Sequence, residues 1–237
     1  MRLSISKIQD FEKCKYSFYL GNIKKEKINV IPIQLLEGTE KHKIFEDVIV
    51  SAKEIFTKEK ITKSEAIKKA ILNDKNYSKY KQDCNNFVEL SKNIEQQQGD
   101  PFPKHREIKL YNEELDLAGV IDRIDEEEEN VLIIDYKTGR QHPIEDYYFQ
   151  LATYVYMYEK QFNKKVTHWG IYFSKDGVLL KEKVLRFEIE NAINRIKNTR
   201  LLINQTMREN NFPKQQSNLC KYCQWMQSKL CNGKNDR

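Results

Sequence analysis

Two apolar runs in the stretch GVIDRIDEEEENVLIIDYKTG, Gly119 to Gly139, have the length of buried strands yet carry Asp122, Asp125, Asp135 and Lys137 at their ends. A run of glutamates, Glu126 to Glu129, stands between them. Such runs around a polar turn predict an antiparallel pair, 115–123 with 131–137, turning at Glu126–Asn130. Alternation then places Asp135 and Lys137 on one face and Tyr136 on the other, and lets Asp122 approach Asp135 across the pair. Two carboxylates brought together repel unless a cation lies between them, and hard oxygen ligands suit Mg²⁺ or Mn²⁺. Lys137 would point into the same site, where it could position or deprotonate a water and stabilise charge developing on a phosphate. Taken alone, an Asp-x-Lys is more often a solvated hairpin charge making weak ion pairs. The second carboxylate at the end of an apolar run is what weighs against that reading.

The rest of the chain frames this pair. Its 237 residues suit one enzyme-sized unit, and the excess of 41 Lys+Arg over 35 Asp+Glu favours polyanionic partners. No stretch approaches the ~18 apolar residues of a membrane span, and the first ten residues lack a signal-peptide layout. A cytoplasmic protein is therefore expected, in which five cysteines read better as metal ligands or thiols than as disulfides. Ser6 and Gln9 fit a capping box opening a helix over 7–20, with Phe11, Cys14 and Phe18 on its inner face. A second helix starts near Gly38 with His42, Phe45 and Ile49 on one stripe, and Lys-rich helical sequence continues to about residue 98. GDPFP at 99–103 is the clearest breaker. Beyond it the pattern predicts a strand at 105–111, the pair described above, a helix from about 145 to 162, strands at 167–174 and 179–187, and a helix at 188–209. That order describes an α/β or α+β fold with a helical subdomain at about 38–98 and a core at 104–210.

At these residues the chain resembles the PD-(D/E)xK nuclease superfamily, in its RecB-like branch. GVIDRID and IIDYKTG are similar to the branch's Gly-x-x-Asp-Arg-x-Asp and Asp-Tyr-Lys-Thr-Gly blocks, QLATYVYMY at 150–158 to its Gln-Leu-x-x-Tyr helix, and GTEKH to its Gly-x-x-x-His block. The resemblance implies a restriction-endonuclease-like core, a mixed central sheet flanked by helices. It implies His42, Asp122, Asp135 and the carbonyl of Tyr136 as ligands of Mg²⁺ or Mn²⁺, and Lys137 as the catalytic lysine. Gln150 and Tyr154, four apart on one helix face, would orient metal, lysine or DNA. Each block has a plainer reading too: His42 as a satisfied helix residue, the tyrosines as core packing.

Cysteines form a second constellation. Cys220, Cys223 and Cys231 lie close together near the C-terminus, and Cys14 stands far away in the first helix. One distant cysteine plus a C-terminal trio resembles the iron-sulfur staple of CRISPR-associated RecB-like exonucleases and of the AddB nuclease subunit, whose first helix also opens on a Ser-x-Ser like Ser4-Ile5-Ser6. It implies one 4Fe-4S cluster joining residues 1–20 to 218–237. Here the gap from Cys223 to Cys231 is longer than in those relatives, and Lys15 stands where a proline often follows the first cysteine. Zinc, or no ligand at all, are the alternatives. Cys84 is left over as a plain thiol.

The expected partner is DNA, single-stranded or with free ends, and recombination or CRISPR adaptation proteins are partners that the resemblance implies. Lysines near the first helix and in 53–81, with Tyr77 and Tyr80 interleaved, could track a backbone and stack bases, or could simply be a solvated face. No sequence-reading module and no helicase P-loop is recognisable. An exonuclease on single-stranded or frayed ends is the expectation. The runner-up is a non-catalytic DNA-binding or adaptor subunit on the same fold, against which the complete His42, Asp122, Asp135 and Lys137 set argues.

Overall fold

The structure, a computed structural model, describes residues 1–27 and 33–232, so residues 233–237 of the expected C-terminal segment lie outside the described residues. The chain opens with α1 (Ile5–Lys13), capped by Ser4 rather than Ser6: the Ser4 hydroxyl accepts from Lys7 N. The helix expected over 7–20 breaks at Cys14, which is extended at φ −164° and ψ 112°, before α2 (Lys15–Phe18) and a π-helical turn at Tyr19–Ile23 resume it. Phe11 and Phe18 are buried as expected, whereas the break leaves Cys14 only half-buried.

Three helices follow, α3 (Ile33–Lys58), α4 (Lys63–Leu72) and α5 (Lys81–Gln96), with α4 opening on a Thr62/Glu65 capping box. Their core, around Phe45, Ile67 and Phe87, continues onto one face of the sheet through Ile134, Tyr136 and Tyr172. A buried Lys41–Asp83 pair at 2.9 Å, with the Ser174 hydroxyl donating to Asp83 at 2.5 Å, ties α3 and α5 to the sheet. Cys84 is a free thiol, fully buried in this core, and burial pushes its pKa up to about 11. Tyr80 is buried as well and its hydroxyl bonds Glu40, so it serves packing rather than stacking on a base.

The sheet runs in chain order: β1 (His105–Asn112), β2 (Leu117–Glu127), β3 (Asn130–Lys137), β4 (His168–Phe173) and β5 (Val178–Lys183). β2 extends into the glutamate run through Glu127 and β3 begins one residue early, at Asn130, leaving Glu128 and Glu129 as the turn, with Glu128 at φ 52°. All pairings are antiparallel except β3 with β4, which is parallel. A parallel pair needs a crossover, and α6 (Tyr148–Phe162) supplies it. With α7 (Arg186–Glu209) and α1 it covers the other sheet face, in a core that joins Ile8, Ile133, Leu151, Val155 and Ile196. The last strand ends at Lys183, short of the expected 187, and α7 starts correspondingly early.

The C-terminal segment packs on the N-terminal helices. From α8 (Gln224–Gln227), Trp225 is buried against Gly21, where a Cβ would lie 3.2 Å from the indole, and its Nε1 donates to Ser17 Oγ at 3.1 Å.

Candidate active site

Regular pairing of β2 with β3 stops at Arg123 and Ile134, one step before Asp122 and Asp135. Ile121 and Ile124 both enter the core beneath α6, although residues three apart on a regular strand point to opposite faces. The strand is therefore twisted at Asp122. On β1, Glu107 falls between the pairs Arg106–Arg123 and Ile108–Ile121 and adopts φ 46°, a left-handed conformation uncommon for any residue with a Cβ. These irregularities coincide where the carboxylates gather.

Asp122 is buried and bonded from two sides: Tyr136 N donates to Oδ2 at 2.7 Å, and His42 Nδ1, from α3, lies 3.4 Å from Oδ1. Gly38, one turn before His42, faces the loop after β3, where a Cβ would stand 3.4 Å from Thr138 Oγ1. Burial would lower the His42 pKa, and the bond and charge of Asp122 more than reverse it, so the imidazole titrates above its usual value.

Asp135 and Lys137 share a face, as expected. Lys137 Nζ lies 2.6 Å from Asp135 Oδ2, off the line of a hydrogen bond, and donates to Gln150 Oε1 at 2.9 Å. Gln150 Nε2 in turn donates to Asp135 Oδ1 at 2.7 Å and to Tyr154 Oη at 3.0 Å. Gln150 and Tyr154 thus hold the acid and the lysine from one face of α6. Gly119 makes room for this, since a Cβ there would be 3.3 Å from the Tyr154 ring. Burial, and then repulsion from Asp122, raise the Asp135 pKa to about 6.

All seven residues expected at the catalytic site line one open cavity of about 890 Å³. Within it, one ligand atom each from His42, Glu107 and Asp122 lie within 4.8 Å of one another, a group that could hold a metal ion. Asp135 is not part of that tight group and faces Lys137 and Gln150 instead. Glu107 is the residue missed from the sequence. No motif marks it, and pairing the expected strands 105–111 and 115–123 evenly about their turn would set it opposite Gly119; only the observed register, with Arg106 on Arg123 and Ile108 on Ile121, brings it to Asp122. Burial and the Asp122 charge push its pKa up to about 7. Two acids forced towards neutrality beside Asp122 are a donor set whose mutual repulsion a divalent cation would relieve. Asp125, by contrast, accepts from Arg123 Nε at 2.9 Å and neutralises that fully buried guanidinium, a structural pair.

Against known families, the sequence profile of the PD-(D/E)XK nuclease superfamily matches residues 2–231. The chain belongs to the PD-(D/E)XK nuclease superfamily. Its mixed five-stranded sheet flanked by helices is the restriction-endonuclease-like architecture of these nucleases, which typically use divalent metals. The solved structure of a "Putative exonuclease" from Eubacterium rectale shares the fold, with a TM-score of 0.51, 12% identity, and coverage of 92% of this chain and 86% of that one. No curated protein matches the sequence.

The cysteines of this PD-(D/E)XK chain make a separate group. Cys14, Cys220, Cys223 and Cys231 line one cavity of about 570 Å³ beside Trp225. Among the described residues, no three of their sulfurs converge within the 4.8 Å that describes the acidic group. No helix among the described residues is long and apolar enough to cross a membrane.

Proposed function

We propose that this chain is a metal-dependent deoxyribonuclease that degrades DNA from single-stranded or frayed ends. The observation that carries the reading is Lys137, held between Asp135 and Gln150 beside the His42, Glu107 and Asp122 group. His42, Asp122, Asp135 and the Tyr136 carbonyl, joined by Glu107, would hold Mg²⁺ or Mn²⁺. When bound, such an ion supplies Lewis acidity at the phosphoryl group and lowers the pKa of a water. Lys137 places a positive charge where the scissile phosphate gains negative charge, and Gln150 fixes its direction. Tyr154, whose burial raises its pKa, stays a neutral phenol and holds Gln150 in place. An adaptor subunit would have no use for a lysine aimed in this way, which disfavours the non-catalytic reading.

The second part of the proposal is one 4Fe-4S cluster on Cys14, Cys220, Cys223 and Cys231. A single zinc draws four thiolates in to about 2.3 Å, whereas these cysteines share a roomier cavity, which suits a cluster better. The break in the first helix is what turns Cys14 towards this cavity.

The preference for an end rests on α3, which borders the cavity at His42 and would stand in the way of an intact duplex. The test compares closed single-stranded circles with the same DNA linearised, in Mg²⁺, Mn²⁺ or EDTA. Metal-dependent loss of the linear form with circles surviving is expected. Equal rates would make the protein an endonuclease, and no cleavage in either metal would leave the adaptor reading.

A further inference from the structure

Resting on the nuclease reading above, we propose that the exposed face of the β1–β2 hairpin is the track for the single strand beside the scissile phosphate, with Arg2 and Tyr111 as its base-stacking platform.

Along β1 the side chains of Glu107, Lys109 and Tyr111 share one face, because alternate residues do. Between them Leu110 is buried in the core under α6, so Lys109 and Tyr111 point away from that core. Across the ladder Lys109 pairs with Val120 and Tyr111 with Ala118. The row therefore starts at the acidic metal group, passes an ammonium and an exposed valine, and ends on an exposed aromatic ring about 13 Å away. It belongs to the same cavity as the metal group, which Ser4, Ser6 and Gln9 of the N-terminal segment also line.

Three features suit this row to a nucleic acid rather than to solvent. Tyr111 is 40% exposed and Val120 36%, unusual for a tyrosine and a valine in a sheet that fills its interior so completely elsewhere. Lys109 has no carboxylate partner among the described residues, so its charge is available for a phosphate. Finally, the Arg2 guanidinium lies 4.2 Å from the centre of the Tyr111 ring, and the Tyr111 hydroxyl donates to Asp116 at 3.1 Å, which fixes the ring in place. Guanidinium planes and aromatic rings are the surfaces on which unpaired bases stack. The sign of charge also changes along the row. Carboxylates mark the end that would take the cation, and Lys109 marks the part that would take the phosphodiester backbone, while Arg2, 3.7 Å from Asp116, stays with the ring.

Binding of a fluorescein-labelled oligothymidylate, followed by anisotropy with Ca²⁺ in place of Mg²⁺ so that the strand stays intact, tests the track. Tyr111→Ala and Arg2→Ala should each weaken binding about tenfold, and Tyr111→Trp should restore it. Lys109→Ala should weaken binding and reduce the slope of log K against log salt by about 1. In cleavage with Mg²⁺ the loss should appear as a raised KM with little change in kcat. All three side chains are on the surface, and unchanged thermal midpoints would confirm folding. If the native protein binds and cleaves DNA while the alanine variants match it within twofold, the track is wrong and the nuclease reading stands. An equal loss on single strands and blunt duplex would overturn the stacking role. If the native protein neither binds nor cleaves DNA, the underlying reading fails and the track with it.

Discussion

Glu107 sits opposite Asp122 across β1 and β2, and with His42 they bring three ligand atoms within 4.8 Å. The folded pKa of Glu107, about 7, lies above its ordinary 4.5, so the folded state keeps a proton that the unfolded chain releases. Its contribution to metal-free stability is therefore lost as pH rises from about 4.5 to about 7. Asp135, raised from 3.8 to about 6, acts with the same sign at lower pH, as does the raised His42 at higher pH.

Replacing Glu107 with Gln should raise the thermal midpoint in EDTA at pH 8 but hardly at pH 5. The same variant should lose about 10- to 100-fold in Mg²⁺-dependent cleavage and gain less stabilisation from added Mg²⁺. Thermal melts at the two pH values, with and without metal, read this directly. An unchanged difference between pH 5 and pH 8 would show that Glu107 carries no strain.

Lys137→Ala or Asp135→Ala should reduce kcat by several orders of magnitude while the protein stays folded. Asp135→Ala should also raise metal-free stability by removing repulsion with Asp122. Gln150→Ala removes the bonds that aim both groups, at 2.9 and 2.7 Å, and should cost less, about 10- to 100-fold. Single-turnover rates on a labelled linear strand would separate these grades.

Cys220→Ala should abolish the brown colour and the iron content of anaerobically purified protein. Cys84→Ala should keep both, yet lower stability by about 1 kcal/mol because the side chain fills a closed core. The buried thiol should also resist alkylation in the native state, its pKa lying near 11. Stoichiometric zinc in a colourless protein would refute the cluster.

Trp225→Ala should destabilise the protein by about 3 kcal/mol even after metal removal, because the indole joins the chain ends through Gly21 and Ser17 on its own. Chelation of native protein should then leave the ends still associated. Proteolysis of the C-terminal segment, with and without chelator, measures the two contributions separately.

Short-range pattern determined much of this molecule. The apolar runs ending in Asp122 and in Asp135-Tyr136-Lys137, the i and i+4 spacing of Gln150 and Tyr154, and the breaker at 99–103 are local properties, and each settled where a strand, helix face or boundary would fall. The element order followed, because strand and helix periods are written within a few residues of one another. What needed the tertiary structure was everything set by two distant segments meeting. Glu107 became a site residue through the register of β1 on β2 and a left-handed backbone, Cys14 left its helix face through a break that no nearby residue announces, and Cys84 was buried by three helices closing on the sheet. The same holds for Arg2 lying over Tyr111, and for Trp225 reaching Ser17 across more than two hundred residues. Contacts of that kind depend on how whole faces pack, and packing is a property of the assembled chain rather than of any window along it.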